Sequence, residues 1–176
     1  MKIFLIGFMY CGKTTVGKKI SKLLGCPLID TDKYIEEKLG ESVEDIFKNK
    51  GEAFFRQQET LCLYDIKKEE DIVVSTGGGL PCYNDNISLI KSMGKSLYLE
   101  MTPSQILSRA EKSHKSRPLM QSMNKEEKLL YIEKTLKERE QYYNQADIRI
   151  NAFSLTNFEL EITIEELLRT NRNVSY

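Results

Sequence analysis

Ile3-Phe4-Leu5-Ile6 runs directly into Gly7-Phe8-Met9-Tyr10-Cys11-Gly12-Lys13-Thr14, and this junction restricts the fold more than any other stretch. The four apolar residues read as a short buried strand. Behind the second glycine, Val16, Ile20, Leu23 and Leu24 recur at helical spacing. Strand, tight loop and helix therefore follow one another, with the G-x-x-x-x-G-K-T spacing of a phosphate-binding loop, the P-loop. Gly7 and Gly12 allow the backbone to turn its N–H groups inward, where side chains would hinder them. The helix adds the positive end of its dipole, so a polyphosphate meets donors and a favourable field together. Lys13 can reach β- and γ-phosphates, and the Thr14 hydroxyl can ligate Mg²⁺. The bland alternative is a glycine-containing turn with a chance Lys-Thr, but the strand and helix that the motif requires are both present.

Composition narrows the class. The 176 residues suffice for one domain with a sizeable core. A 40% hydrophobic, 30% charged chain is ordinary globular material. Lys+Arg and Asp+Glu balance at 26 each, so no net basic field draws the chain to nucleic acid. The first apolar run is too short for a signal peptide, and no stretch approaches the roughly 20 apolar residues of a membrane-spanning helix. Cys11, Cys26, Cys62 and Cys82 form no C-x-x-C pair and read as reduced thiols of a cytoplasmic protein. One histidine, His114, leaves no basis for a zinc site or a histidine triad.

Strands and helices alternate along the chain. Gly25 ends the first helix as a C′ residue, and a second strand at 26–29 leads into Asp30-Thr31-Asp32. Tyr34, Ile35 and Leu39 mark a helix closing at Gly40, and Ser42 begins another. Gly51 separates that helix from a longer one over about 52–68. A third strand at 72–74 precedes Ser75-Thr76-Gly77-Gly78-Gly79, and a helix around 87–93 stops at Gly94. After a strand at 96–99, Thr102-Pro103-Ser104-Gln105 is a strong helix start, with Thr as N-cap and Gln at N3. From 111 to 123 the apolar period lapses into a polar, basic, mobile loop. Asn124 and Glu127 open a long charged helix, a fifth strand spans 147–150, and Thr156 with Glu159 caps the last helix. This alternation implies a mostly parallel sheet covered on both faces, with ligands at the carboxyl ends of its strands.

Several charged residues converge on that end. Of Asp30 and Asp32, one carboxylate suits a metal ligand and the other a proton acceptor; a helix N-terminal pair favoured by the dipole is the structural alternative. Gly77-Gly78-Gly79 lets another molecule approach the backbone, or is a plain turn. In the long charged helix, Leu129, Ile132, Leu136, Arg139 and Tyr143 share one stripe, so Arg139 faces inward and needs an anion, unless it snorkels outward from the stripe's edge. Arg56 raises the same question, with Glu59 three residues on as an internal partner.

The P-loop, Asp30-Thr31-Asp32, Phe47-x-x-x-Gly51-Glu52-x-x-Phe55-Arg56-x-x-Glu59, Gly77-Gly78-Gly79, Arg117-Pro118-Leu119 and Arg139 together resemble shikimate kinases over essentially the whole chain. The resemblance implies an α/β, three-layer P-loop kinase fold of the nucleoside-monophosphate-kinase type, with five parallel strands in the order 2-3-1-4-5. It implies one domain over 1–176, with a shikimate-binding helical segment at about 31–60 and a mobile lid at about 111–123. The implied reaction is transfer of the γ-phosphoryl of ATP to the 3-hydroxyl of shikimate, in the synthesis of chorismate and the aromatic amino acids. Gly7, Tyr10, Cys11, Gly12, Lys13, Thr14, Thr15 and Arg117 would bind ATP, and Thr14 and Asp30 would hold Mg²⁺. Asp32, Lys13 and Arg117 would carry the chemistry, with Asp32 as base and Arg117 reaching the transferred phosphate from the lid. Asp32, Arg56, Gly78, Gly79 and Arg139 would bind shikimate, the two arginines clamping its carboxylate.

The family's loop commonly has glycine where this chain has Tyr10, which implies local strain there. The family often places an arginine near the start of the lid against adenine; Arg109 stands near that place, one residue off, with Ala110 at the expected position. A cytoplasmic monomer acting on ATP and shikimate, without nucleic acid or membrane, is the resulting expectation. A gluconate-type kinase, a nucleoside monophosphate kinase and an ATP-dependent switch protein share the loop. The Phe-Arg-x-x-Glu segment with the glycine triplet weighs against the first, the second would need a base-recognition pocket that the sequence does not offer, and the third would need no inward arginine pair.

Overall fold

The computed structural model describes residues 1–113, 120 and 122–169. Five strands form one sheet: β1 (Lys2–Ile6), β2 (Leu28–Asp30), β3 (Ile72–Ser75), β4 (Lys95–Glu100) and β5 (Ile148–Asn151). They lie in the order β2-β3-β1-β4-β5, and every neighbouring pair is parallel. Parallel neighbours require crossovers, which the helices supply. These are α1 (Lys13–Leu24), α2 (Thr31–Leu39), α3 (Val43–Ile66), α4 (Asn86–Met93), α5 (Pro103–Lys112), α6 (Lys125–Tyr143) and α7 (Asn157–Arg169).

The two-residue period of β1 divides the core. Ile3 and Leu5 pack on one face with Val16 and Ile20 of α1, Ile106 of α5 and Ile164 of α7. Phe4 and Ile6 pack on the other with Ile35 of α2, Leu63 and Ile66 of α3 and Ile90 of α4. Helix α6 belongs to both: Ile132 joins the first cluster, Tyr143 the second, and Leu136 borders each. Arg139 sits between Leu136 and Tyr143 on this crossing helix, which carries it to the carboxyl end of the sheet.

Helix ends follow the sequence signals. Gly25 and Gly40 adopt left-handed conformations (φ 65° and 69°) at the ends of α1 and α2. Thr102 with Gln105 and Asn124 with Glu127 form reciprocal capping boxes. The two helices expected on either side of Gly51 are present: within Val43–Ile66 the Gly51 backbone takes the non-helical φ 80° and ψ 169° and breaks one from the other. A short 3₁₀ turn at Leu80–Cys82, which the sequence did not announce, follows the glycine triplet. No helix among the described residues is long and apolar enough to cross a membrane.

Register sets the site. Asp30 pairs with Ser75 across β2 and β3, and Leu5 pairs with Ser75 from the other side. The P-loop, Asp30-Thr31-Asp32 and the glycine triplet therefore emerge side by side, where the strand order reverses.

Gly94 illustrates how tightly α4 returns to the sheet: a Cβ there would overlap the Lys2 carbonyl and lie 3.0 Å from its carbon. Gly94→Ala should lower unfolding stability by about 1–3 kcal/mol, the usual range for forced overpacking. Urea denaturation checks this; an unchanged midpoint would show that β1 and the α4 turn can separate without cost.

Candidate active site

The loop between β1 and α1 has the backbone that the glycines permit. Gly7 has φ 142° and Gly12 φ 94°, and a Cβ at Gly7 would meet the Leu99 carbonyl oxygen at 2.8 Å. Tyr10 is left-handed at φ 65°, the strained conformation expected where glycine is commoner. Lys13, the first residue of α1, is buried and donates through Nζ to the Gly7 and Phe8 carbonyls at 2.8 Å each. Its ammonium thus lies inside the loop, 3.7 Å from Cys11 Sγ. Thr14 and Thr15 fill the next two positions of the helix start, Thr15 exposed.

The Thr14 hydroxyl donates to Asp30 Oδ2 at 2.7 Å and lies 3.3 Å from Ser75 Oγ. These are hard oxygen donors from three segments, joined by the Asp30–Ser75 register. Among the described residues no three carboxylate, cysteine or histidine side chains cluster. A single carboxylate with hydroxyls beside a phosphate loop fits Mg²⁺, which takes few protein ligands and completes its shell with phosphate and water. Ser75 was not expected here. A serine at a strand end carries no motif of its own, and only the pairing of β2 with β3 reveals it.

The glycine triplet forms the floor of the rest of the cleft, and each glycine faces a different charged group. A Cβ on Gly77 would lie 2.7 Å from both Asp32 Oδ1 and Glu59 Oε1. One on Gly78 would lie 3.3 Å from an Arg139 guanidinium nitrogen. One on Gly79 would meet the Arg56 guanidinium at 2.5–2.8 Å. Asp32, Arg56, Arg139, Gly78 and Gly79, singled out in the sequence, are thus brought together. Thr31, fully buried, accepts from the Gly77 N–H at 2.8 Å and ties the start of α2 to the triplet.

The two arginines differ. Arg56 is an ion-pair residue, as its spacing from Glu59 suggested: it donates to Glu59 Oε2 at 2.8 Å and, through Nε and Nη2, to Glu52 Oε1 at 3.1 and 2.8 Å. The Tyr83 ring stacks on its guanidinium at 4.2 Å. Arg139 is partly buried over the Phe8 ring, and no described carboxylate forms a salt bridge with it. Burial would lower its pKa, yet contacts led by Tyr143 raise it, so the charge persists.

Glu59 is fully buried, and its Oε1 has no hydrogen-bond partner. Burial pushes its carboxyl up to about 7, Arg56 pulls it back, and the nearby Asp32 charge adds to the rise. The sequence marked Glu59 only as a partner for Arg56; its second edge, facing Asp32 across Gly77, depends on a fold contact. Burial also pushes the Cys62 and Cys82 thiols up to about 12 and about 11, which removes them as nucleophiles.

Arg109 braces the phosphate loop. Its guanidinium donates to the Cys11 carbonyl at 2.9 Å and to the Ala152 carbonyl at 2.6 Å, beside the exposed Phe153 ring. Arg117, with the central part of the expected lid, lies outside the described residues.

A five-stranded parallel sheet in this order, with a phosphate loop after its central strand and the Thr14, Asp30 and Ser75 oxygens beside it, defines a P-loop kinase. The chain belongs to the shikimate kinase family, whose model, described as shikimate kinase, matches residues 9–169. A curated shikimate kinase from Bacteroides fragilis is 36% identical over 168 residues, covering 95% of this chain and 94% of the relative. The crystal structure of shikimate kinase from Bacteroides thetaiotaomicron superposes with TM-score 0.89 at 35% identity, covering 98% of both chains. That of shikimate kinase from Acinetobacter baumannii in complex with shikimate superposes at 0.80 and 32% identity, covering 99% of this chain and 95% of the other.

Glu59 generates a pH test. Its folded pKa lies above the ordinary 4.5, so the stability from its bound proton is complete below about pH 4.5 and lost as pH rises through about 7. The stability of the wild type relative to Glu59→Gln should fall between pH 5 and pH 8, by up to about 1.4 kcal/mol per pH unit. Urea titrations across that range measure it, and a flat or rising difference would mean that Glu59 stays ionised.

Proposed function

We propose that this kinase transfers the γ-phosphoryl group of ATP to the 3-hydroxyl of shikimate, giving shikimate 3-phosphate and ADP in aromatic amino acid biosynthesis. The observation that carries this reading is Arg139: a partly buried guanidinium with no described carboxylate to balance it, held at the glycine floor opposite Asp32. A desolvated cation of this kind suits an anionic substrate. Shikimate offers one carboxylate, which two guanidinium groups can hold, and hydroxyls that reach towards a base.

In this reading the N-terminus of α1, the P-loop backbone and Lys13 hold the phosphates. Lys13 exchanges its two carbonyl partners for phosphate oxygens as the nucleotide enters. Thr14 and Asp30 would hold Mg²⁺, with Ser75 beside them, and the ion would supply charge neutralisation to the nucleotide's phosphates. Arg56 and Arg139 hold the substrate carboxylate, and Gly78 and Gly79 close the pocket around it. Asp32 accepts the proton of the 3-hydroxyl as its oxygen bonds to the γ-phosphorus and the bond to the β-phosphate oxygen breaks. Arg117 supplies charge to the transferred group from the lid. The four free cysteines suit a reducing, cytoplasmic setting.

An ADP-release assay with Mg–ATP against shikimate, gluconate, nucleoside monophosphates and water tests the reading. Shikimate alone should give stoichiometric turnover. Asp32→Asn should lower kcat by roughly 10²-fold or more while keeping nucleotide affinity, and Arg139→Lys should raise the shikimate KM far more than the ATP KM. Equal turnover with water would mark a nucleotide switch, and turnover with gluconate would reassign the acceptor.

A further inference from the structure

Tyr143, the last residue of α6, is fully buried in a core otherwise made of apolar side chains, at the foot of the glycine triplet. A buried hydroxyl needs a partner, and here it donates to the Gly78 carbonyl at 2.6 Å. The same hydroxyl interacts with the Arg139 guanidinium, one helical turn earlier on the same face. The ring cannot swing away, because it packs on Tyr98 with centroids 5.1 Å apart. Burial raises the phenol pKa further above its ordinary value, so the group remains a donor at any working pH.

The Gly78–Gly79 bond is trans, so its C=O and N–H point in opposite directions. A carbonyl held towards Tyr143 therefore directs the Gly79 N–H to the opposite side of the peptide. Glycines on both sides give this peptide wide rotational freedom, and the neighbouring hydrogen bonds, from Leu80 N–H to the Gly77 carbonyl and from Cys82 N–H to the Gly79 carbonyl, hold the peptides before and after it. Meanwhile no described carboxylate forms a salt bridge with Arg139, which lies over the Phe8 ring and beside the Tyr143 hydroxyl.

We infer that Tyr143 is a positioning residue for the substrate anion: its hydroxyl fixes the Gly78–Gly79 peptide and the Arg139 guanidinium together, before substrate arrives. The inference rests on the proposed carboxylate clamp and adds to it the group that orders it. Without the hydroxyl, the peptide and the guanidinium turn independently, and the substrate must order both on binding.

The test is Tyr143→Phe, which removes one oxygen and keeps the ring. The shikimate KM and Kd should rise about tenfold, with the ATP KM unchanged and kcat within about threefold of wild type, as for a lost hydrogen bond to a charged group. Arg139→Lys should cost less in the Tyr143→Phe background than in the wild type, because the two act as one unit. Should the phenylalanine variant not fold, 4-aminophenylalanine and 4-fluorophenylalanine in place of Tyr143 separate donor from volume. The amino analogue should restore shikimate affinity and the fluoro analogue should not. Wild-type shikimate affinity in Tyr143→Phe or the fluoro analogue overturns the positioning role alone. Equal losses for ATP and shikimate overturn it in favour of general loosening. A wild-type protein that binds no shikimate overturns the clamp itself, and the inference with it.

Discussion

The arrangement at this site depends on bringing guanidinium and carboxylate groups against backbone that has no side chain. Three consecutive glycines after β3 allow Asp32 with Glu59, Arg139 and Arg56 each to approach the main chain within a distance that a Cβ would occupy. Charges so placed lose much of their hydration, which costs several kcal/mol per ion unless a partner restores it. Glu52 and Glu59 do so for Arg56. Arg139 has the Phe8 ring and the Tyr143 phenol as neighbours instead, and no described carboxylate forms a salt bridge with it, which is the basis for proposing that the cleft takes an anion.

The phosphate side of the cleft is organised by a second constraint, the parallel register of the three central strands. Because Leu5, Ser75 and Asp30 stand level across β1, β3 and β2, the hydroxyl of Thr14 at the start of α1 meets both Asp30 and Ser75. The same register puts the glycine triplet next to the loop, so a phosphate on one side and a hydroxyl acceptor on the other are within one cleft. Thr31 and Tyr143 lock the triplet from opposite sides, one through the Gly77 N–H and the other through the Gly78 carbonyl.

Much of this was legible before any coordinates. The P-loop declares itself by spacing, and the strand order follows from the family resemblance. The inward placement of Arg139 was readable from the 3.6-residue period of α6, and the Arg56–Glu59 pair from its i,i+3 spacing. What was not legible depends on contacts between distant segments. Ser75 comes within reach of the Thr14 hydroxyl only through strand pairing. Glu59 becomes a neighbour of Asp32 only because α3 returns to the sheet over Gly77. Tyr143 read as one more member of an apolar stripe, since periodicity assigns a face and says nothing about where a hydroxyl on that face ends. Arg109 stood near the family's adenine-side position, one residue off, and its place in the chain could not show that it hydrogen-bonds carbonyls of the phosphate loop and of the segment after β5. The Gly51 boundary, by contrast, was legible as a break, and its non-helical φ 80° and ψ 169° bear that out.

The central claim is that the cleft selects its substrate by a carboxylate held between two guanidinium groups. Calorimetric binding of shikimate and of its neutral carboxamide, under identical salt and pH, tests this most directly. Two charge-assisted contacts at about 1.5–3 kcal/mol each imply that the carboxamide binds at least roughly 10²-fold more weakly. Comparable affinities for the acid and the amide would contradict the account and return Arg56 and Arg139 to a structural role.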